Sequence, residues 1–280
     1  MELMYFHWQA CGILMKDLHG STDKFNINIY HMAKEKLRLD VMLKEKGLVS
    51  SRAKGQALIM AGSVQVDGVT VTKSGFPVSR TQQIAIIENS CPFVSRGGLK
   101  LQRALEAFGV NAASRVCLDV GASTGGFTDC LLQNGAKLVY ALDVGYGQLD
   151  WTLRQRPDVV NIERTNIRHV SQDLFTEIPD LATVDTSFIS LKIVIPKVKQ
   201  LIRKDGEIIA LIKPQFEAGR KKVGKGGIVR DPEIHREVIR DLEHFFTSSC
   251  SLKSLEVIDS PISGAKGNRE FLIHLKCEDP

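Results

Sequence analysis

The sequence predicts an α/β protein in two parts. The first is a small α+β domain with two helices and a small sheet, and the second is built on a doubly wound, mainly parallel sheet. Three observations support this. From residue 94 onward, short apolar runs alternate with helical patterns, as in a parallel sheet. Before residue 88, two amphipathic segments precede an Asp-Gly turn between alternating strands. A chain of 280 residues is long enough for two domains.

Positive charge is concentrated near the beginning of the chain. The formal net charge is +5, and the segment from Lys34 to Arg80 alone holds nine Lys or Arg against four Asp or Glu, a difference of +5. This balance indicates a polyanionic partner.

The cysteines argue against a metal site and a disulfide framework. Six of them are scattered, with no C-x-x-C pair and no histidine at ligand spacing. Buried free thiols suit a reducing compartment, and no apolar run is long enough to span a bilayer. The expectation is therefore a cytoplasmic protein without a structural metal, and no sequence feature points to a membrane or a protein partner.

The elements of the first domain follow in order. Residues 1–33 are interpreted as an extension without assigned function, because Met32-Ala-Lys-Glu-Lys resembles a natural start. The domain is expected over residues 34–88. Its first helix presents one apolar face and ends at Gly47, and the second opens at Ser50 and closes at Gly62. The predicted inward-facing residues are Leu37, Val41, Met42 and Leu43 in the first helix, and Ala57, Leu58, Met60 and Ala61 in the second.

After a linker at residues 89–93, the second domain is expected over residues 94–280. Gly97 and Gly98 precede a helix carrying Lys100 and Arg103, and a later helix is started by Asp231-Pro232. The seven predicted strands are residues 116–120, 138–142, 159–163, 182–185, 208–213, 255–258 and 270–275, the last two forming an antiparallel pair.

A glycine-rich turn follows the first of these strands. Its G-x-x-x-G-G spacing at Gly121, Gly125 and Gly126 matches neither a dinucleotide fingerprint nor a phosphate loop, because no lysine follows. Asp143 stands 22 positions after Gly121, where a carboxylate can accept hydrogen bonds from ribose hydroxyls. A nucleoside held by its ribose, without a phosphate-binding lysine, suggests S-adenosylmethionine. The alternative is a tight turn with no ligand.

Charged residues stand at the carboxyl ends of several strands. Asp143, Asp185 and Lys213 should therefore share the edge where ligands bind in such sheets. Transfer of a methyl group to a hydroxyl requires a proton acceptor, and a lysine can serve if desolvation and neighbouring positive charge favour its neutral form. Lys100, Asp185, Lys213 and Glu270 could converge as such a set.

The first domain resembles the S-four (S4) RNA-binding domain, named after a ribosomal protein. The likeness rests on Arg38-Leu-Asp-Val-Met-Leu, Ser51-Arg-Ala-Lys and Ile59-Met-Ala-Gly-Ser-Val-Gln-Val-Asp-Gly-Val. It implies that the second helix and the following turn contact RNA through clustered phosphate contacts. The alternative is that these Lys and Arg side chains only form a solvent-exposed helix face. The predicted RNA-binding residues here are Arg38, Lys44, Arg52 and Lys54.

Residues 94–280 resemble an FtsJ-like ribose 2′-O-methyltransferase, a Rossmann-like class I fold, and the whole chain resembles the hemolysin A (TlyA) family. Among the motifs that carry this are Leu118-Asp-Val-Gly-Ala-Ser-Thr-Gly-Gly-Phe, Asp185-Thr-Ser-Phe-Ile-Ser-Leu and Gly267-Asn-Arg-Glu-Phe-Leu. Thr186 departs from the usual apolar residue, with little effect expected.

The resemblance implies methylation of cytidine ribose in ribosomal RNA of the large subunit, sometimes also of the small one. It makes Lys213 the base and Lys100 the neighbour that favours its neutral form, with Asp185 and Glu270 holding the lysines and the ribose. Asn166 would lie by the adenine. The implied S-adenosylmethionine-binding residues are Gly121, Ala122, Ser123, Thr124, Gly125, Gly126, Phe127, Asp143, Asn166 and Asp185.

A basic, glycine-rich segment after Lys213 predicts a clamp on the RNA backbone, the alternative being an ordinary solvated loop. The further RNA-binding candidates are Arg96, Arg220, Lys221, Lys222 and Lys225. Two other functions stay open: a membrane-active hemolysin, which liposome leakage would reveal, and a non-catalytic RNA-binding assembly factor. The chain is expected to act on ribosomal subunits as a monomer.

Overall fold

The computed structural model describes residues 36–60, 62–87 and 91–277. The predicted extension at residues 1–33 lies outside these ranges. The chain divides into two compact units between Glu88 and Asn89. The finer boundaries expected from the sequence stay predictions.

The first unit combines two helices with short strands. Its core gathers Leu39, Met42, Ile59 and Val64. Strand β2 pairs antiparallel with β3 and β5, and β1 pairs with β4. The elements are β1 (Leu37–Arg38), α1 (Leu39–Glu45), α2 (Arg52–Met60), β2 (Val64–Val66), β3 (Val69–Thr70), β4 (Pro77–Val78) and β5 (Ile84–Ile86).

Two details of the predicted helices are wrong. Leu37 belongs to strand β1 rather than to the first helix, because it pairs with Val78. In α2 the buried residues are Gly55 and Ile59, whereas Ala57 and Met60 are exposed. Gly55 and Ile59 are four residues apart and so share the face of α2 that is buried. A Cβ added to Gly55 would lie 3.4–3.5 Å from Val49, Asp40 and Leu43, which is ordinary contact distance. Ala61 lies outside the described residues.

The second unit contains one seven-stranded sheet with helices on both faces. Its helices are α3 (Gly97–Phe108), α4 (Gly126–Gln133), α5 (Trp151–Arg154), α6 (Leu191–Leu201), α7 (Pro214–Glu217) and α8 (Pro232–Cys250). Its strands are β6 (Val116–Val120), β7 (Leu138–Leu142), β8 (Val159–Ile162), β9 (Leu181–Val184), β10 (Glu207–Ile212), β11 (Leu252–Asp259) and β12 (Phe271–Cys277).

The order of the strands confirms the predicted fold class. The sheet runs β11-β12-β10-β9-β6-β7-β8, with parallel pairing from β10 through β8 and antiparallel pairing at β12 and β11. Helices α6 and α8 contribute to the core on one face, and α3 and α4 to the core on the other. The crossover from β6 to β9 leaves a crevice beyond the carboxyl ends of these strands, where such folds bind ligands.

Within the described residues, no helix combines the length and the apolar character that crossing a membrane requires.

Candidate active site

The turn after β6 can be made only with glycine at two positions. Gly121 has φ +87°, and a Cβ there would lie 2.4 Å from the carbonyl oxygen of Asp185. A Cβ on Gly126 would lie 2.2 Å from Ser95 Oγ and 2.9 Å from the backbone nitrogen of Gly98. The glycines therefore bring the turn against both the end of β9 and the start of α3.

A cavity of about 480 Å³ opens beside this turn. Five of the ten predicted cofactor-binding residues line it, namely Gly121, Ser123, Asp143, Asn166 and Asp185. The other five, Ala122, Thr124, Gly125, Gly126 and Phe127, belong to the turn and the start of α4 but do not line the cavity. The ring of Phe127 is buried in the core of the second unit and so does not face the cavity.

The carboxylate of Asp143 has a fixed orientation at the end of β7. Its Oδ2 accepts a hydrogen bond from the backbone nitrogen of Ser123 at 2.8 Å, and its Oδ1 accepts one from Gly145 at 2.6 Å. Each carboxylate oxygen can accept more than one hydrogen bond, so Asp143 can also accept from a ligand hydroxyl.

The four predicted catalytic residues form two ion pairs at the same end of the sheet. Lys213 Nζ lies 2.6 Å from Asp185 Oδ1, and Lys100 Nζ lies 2.6 Å from Glu270 Oε2. Both lysines and Glu270 are buried.

The strand register explains how distant residues meet there. Ile212 is opposite Phe271 in the antiparallel pair of β10 and β12. The next residues along each strand, Lys213 and Glu270, therefore lie at the same edge. Lys100 reaches Glu270 from helix α3.

The structure adds three residues to which the sequence assigned no role. Ser187 Oγ accepts a hydrogen bond from Lys213 Nζ at 2.9 Å. Phe188 lines the cavity, is 91% exposed and has φ +64°, a left-handed backbone conformation that is rare for a bulky residue. Its ring lies 5.0 Å, centroid to centroid, from that of Phe216. Both Ser187 and Phe188 lie inside the Asp185-Thr-Ser-Phe motif, which is the signal that could have indicated them.

Asp119 is the third addition. It is fully buried in β6, where its carboxylate accepts hydrogen bonds from Thr128 Oγ1 at 2.7 Å and Thr183 Oγ1 at 3.0 Å. Burial raises the pKa of Asp119 to about 7, although the two hydroxyls act in the opposite direction. The carboxyl ties α4, which follows the glycine turn, to β9, which leads to Asp185. A lone carboxylate in an apolar run was the sequence signal.

In the first unit, two predicted RNA-binding arginines share one buried carboxylate. Arg38 donates to both oxygens of Asp40, at 3.0 and 3.1 Å, and Arg52 donates to Oδ2 at 2.9 Å. Gln56 also donates to Oδ2, at 2.7 Å. Burial raises the pKa of Asp40, but these hydrogen bonds outweigh it and hold the pKa well below its usual range. Lys44 is exposed on helix α1 and Lys54 on helix α2.

The remaining RNA-binding candidates are exposed in the second unit. Arg96 directly precedes α3. The other four belong to the basic loop, defined here as residues 219–230. Lys222 forms an ion pair with Glu237, and Arg220, Lys221 and Lys225 are exposed. Among the described residues, no group of three or more His, Cys, Asp or Glu side chains is arranged to hold a metal ion.

Comparison with known proteins gives matches along nearly the whole described chain. Residues 93–277 match the FtsJ-like methyltransferase family, and residues 37–84 match the S4 domain. The chain is 47% identical over 246 residues to YqxC of Bacillus subtilis, a candidate rRNA methyltransferase, covering 87% of each protein. It is 42% identical to the 16S/23S rRNA (cytidine-2′-O)-methyltransferase TlyA of Mycobacterium tuberculosis, covering 86% of this chain and 90% of TlyA.

A solved structure is similar over the same extent. It is that of a candidate hemolysin from Streptococcus thermophilus, with 41% identity and a TM-score of 0.69. The match covers 88% of this chain and 90% of that one.

Proposed function

Because this chain belongs to the FtsJ-like methyltransferase family, carries an S4 domain and is similar to an rRNA (cytidine-2′-O)-methyltransferase over most of its length, we propose that it methylates the ribose 2′-hydroxyl of cytidine in ribosomal RNA. The methyl donor in this proposal is S-adenosylmethionine, and the substrate is RNA of the large ribosomal subunit, with the small subunit as a possible second target. We further propose that the protein acts as a cytoplasmic monomer.

One observation carries the proposal. Lys213 and Asp185 pair just beyond the carboxyl ends of β10 and β9, and β9 neighbours β6, which leads into the glycine turn. A buried amine therefore lies beside a carboxylate that lines a cavity suited to a nucleoside. Asp185 lines that cavity itself and is half-buried. A methyl acceptor placed beside Lys213 would therefore meet a donor held in the cavity.

The residues around the cavity fit S-adenosylmethionine. Gly121 lets the turn pack against the end of β9, where a Cβ would meet the Asp185 carbonyl, and both residues line the cavity. Asp143 presents oriented carboxylate oxygens where ribose hydroxyls are expected. Asn166 lines the same cavity, and its Oδ1 already accepts from the Arg168 backbone nitrogen, which leaves its amide hydrogens for the adenine. Thr186 also lines the cavity, and its buried Oγ1 has no hydrogen-bond partner among the described residues, so it is available to a ligand.

The protein's own residues would manage the acceptor. When bound, S-adenosylmethionine supplies an activated methyl group on its sulfonium sulfur. Lys213 Nζ would take the proton of the 2′-hydroxyl, and Asp185 and Ser187 hold Nζ in place. Lys100, held by Glu270, places a second cation at the same edge of the sheet.

Two surfaces support an RNA substrate. Phe188 offers an exposed ring at the mouth of the cavity, and splayed nucleotides of RNA commonly stack on such rings. The arginines on Asp40 and the lysines of the basic loop can contact phosphates. Both units would thus supply affinity for RNA, and the second would also supply the chemistry.

The test uses S-adenosylmethionine with a radiolabelled methyl group and separated, unmodified ribosomal subunits. Wild-type protein, a Lys213→Ala variant and an Arg203→Gln control would be compared. Arg203 is a suitable control because it lies near the start of β10, at the opposite end from Lys213, where it pairs with exposed Asp205. We expect label at one dinucleotide that survives alkali with the wild type and the control, and none with Lys213→Ala.

Three other outcomes would change the conclusion. Label in a base rather than in an alkali-stable dinucleotide would exclude ribose methylation. Label unaffected by Lys213→Ala would retain the enzyme but remove Lys213 as its base. Absence of label on both subunits, with RNA binding intact, would favour the non-catalytic assembly factor.

A further inference from the structure

The tip of the basic loop forms a small closed hairpin. Gly224 and Ile228 pair across it, with the Gly224 backbone nitrogen donating to the Ile228 carbonyl at 3.0 Å. Gly226 and Gly227 make the turn with φ of +83° and +80°. This hairpin carries Lys225 and follows the run Arg220–Lys222, so its position determines where these cations are presented.

The side chain of Asn268 attaches the hairpin to the segment before β12. Asn268 is only 2% exposed. Its Oδ1 accepts from the Val229 nitrogen at 3.0 Å, and its Nδ2 donates to the carbonyls of Gly227 at 3.0 Å and Ala265 at 3.1 Å. One backbone donor and two backbone acceptors therefore fix the orientation of the amide.

Two neighbouring side chains strengthen this attachment. Lys266 Nζ donates to the Gly226 carbonyl at 2.7 Å. His235 Nε2, from helix α8, lies 3.0 Å from the Val229 carbonyl. Val229 is consequently held through both its nitrogen and its carbonyl, and it is itself buried.

The backbone of Asn268 shapes the surroundings of Glu270. The Asn268 carbonyl accepts a hydrogen bond from Gly264 at 2.9 Å. Gly264 lies directly against the carboxylate of Glu270, since a Cβ on Gly264 would lie 1.8 Å from Oε1. The turn that Asn268 closes therefore confines the carboxylate that holds Lys100.

We propose that Asn268 is a positioning residue that couples the basic hairpin to Glu270. RNA bound by the hairpin acts, through the Asn268 amide, on the turn that confines Glu270, and so favours the arrangement in which Glu270 holds Lys100. The coupling is reciprocal, because any interaction that links two sites affects both. This inference rests on the proposed function, since it assigns a role within the same reaction.

The experiment measures kcat and KM for ribosomal subunits, with hydrogen exchange at the Val229 amide. Asn268→Ala removes all three side-chain bonds. We expect faster exchange at Val229, a rise in KM of about tenfold and a fall in kcat of about tenfold, the size expected for lost buried hydrogen bonds. Binding of S-adenosylmethionine should be unchanged, because Asn268 does not line the cavity.

Two further variants test the hairpin attachment and the position of Glu270 separately. They also keep the proposal testable if Asn268→Ala fails to fold. Lys266→Met weakens only the hairpin attachment, and Gly264→Ala displaces only the Glu270 carboxylate. With coupling, each variant changes both KM and kcat, and the double variant departs from additivity. If Lys266→Met changes KM alone, Gly264→Ala changes kcat alone and the two effects add, the inference is wrong.

Failure of this inference can be told apart from failure of the proposed function. A wild-type protein that transfers no methyl group contradicts the proposed function. A wild-type protein that methylates RNA, while Asn268→Ala keeps its kcat and KM despite faster Val229 exchange, contradicts only the role of Asn268.

Discussion

The two units use carboxylates to hold cations in opposite ways. In the first unit, the Asp40 side chain is 0% exposed, whereas Arg38 and Arg52 are 51% and 53% exposed. In the second, Lys213 and Lys100 are themselves enclosed, with 10% and 11% of their side chains exposed. Arginine stays charged and presents a planar fork to phosphates, whereas lysine can release its proton. The first arrangement suits binding of RNA, and the second suits handling of a proton.

The largest effect should come from replacing a lysine of the second unit with arginine, the type of cation that Asp40 holds in the first. Lys213→Arg keeps a positive charge beside Asp185 but cannot accept a proton, so we expect kcat to fall by about 10²–10⁴-fold, the usual contribution of a general base. Single-turnover rates with saturating RNA would measure this, and calorimetry should show unchanged binding of S-adenosylmethionine. Substantial activity in Lys213→Arg would mean that the charge matters and the proton does not.

Two buried carboxylates should give the units opposite responses to pH. The pKa of Asp40 is well below its usual value, so its contribution to stability is present above about pH 4 and is lost as the pH falls. Within the described residues no cation pairs with Asp119, and burial raises its pKa to about 7, so its ionised form opposes folding. Stability of the second unit should therefore fall as the pH rises from about 4 to about 7, by at most about 1.4 kcal/mol per pH unit from this group.

Matched amide variants would isolate these trends. Asp119→Asn should remove the loss of stability between pH 4 and 7, and Asp40→Asn should be most destabilising above pH 4. Hydrogen exchange of amides in β6 and β9 reports on the second unit, and that of amides in β2 and β5 on the first. If Asp119→Asn leaves the pH dependence of β6 exchange unchanged, Asp119 is not its source.

A Phe188 variant tests whether a nucleotide base of the RNA stacks on the exposed ring beside the cavity. Each base stacked on an aromatic ring contributes about 1–3 kcal/mol, so Phe188→Gly should lower kcat/KM by about 5–150-fold. Its thermal stability should be equal to or above that of the wild type, because glycine accepts φ +64° without strain. Ile193→Ala serves as the control, because it removes a half-exposed apolar side chain for which no RNA contact is predicted. Alanine is used instead of glycine because Ile193 lies inside helix α6, which glycine would destabilise. Equal losses in both variants would contradict the stacking role.

Periodicity and turn chemistry were sufficient to predict the fold. Asp185 and Lys213 directly follow apolar runs that form β9 and β10, and the glycine spacing marks the turn after β6, because these signals are local in sequence. The pairing of charged side chains, in contrast, joins residues that are far apart in the sequence. That Lys100 pairs with Glu270 depends on a register 170 residues apart, and the exposure of Phe188 depends on a left-handed backbone that no apolar pattern reveals. The predicted phase of α2 was wrong because Gly55 lies with Ile59 on its buried face, and a glycine adds nothing to an apolar pattern.

The smallest effect, and the sharpest test of the first unit, is the dependence of RNA binding on salt. If Arg38 and Arg52 each neutralise one phosphate, replacing both with glutamine should reduce the slope of log K against log salt by about 1.8, with kcat at saturating RNA unchanged. Asp40→Asn keeps Arg38 and Arg52 but removes the carboxylate that holds both guanidinium groups. It should therefore weaken binding while largely preserving the slope, because the number of phosphate contacts is unchanged and only their ordering is lost. A slope that falls as much in Asp40→Asn as in the double arginine variant would mean that the arginines cannot reach phosphate without Asp40, and that the anchor determines contact as well as orientation.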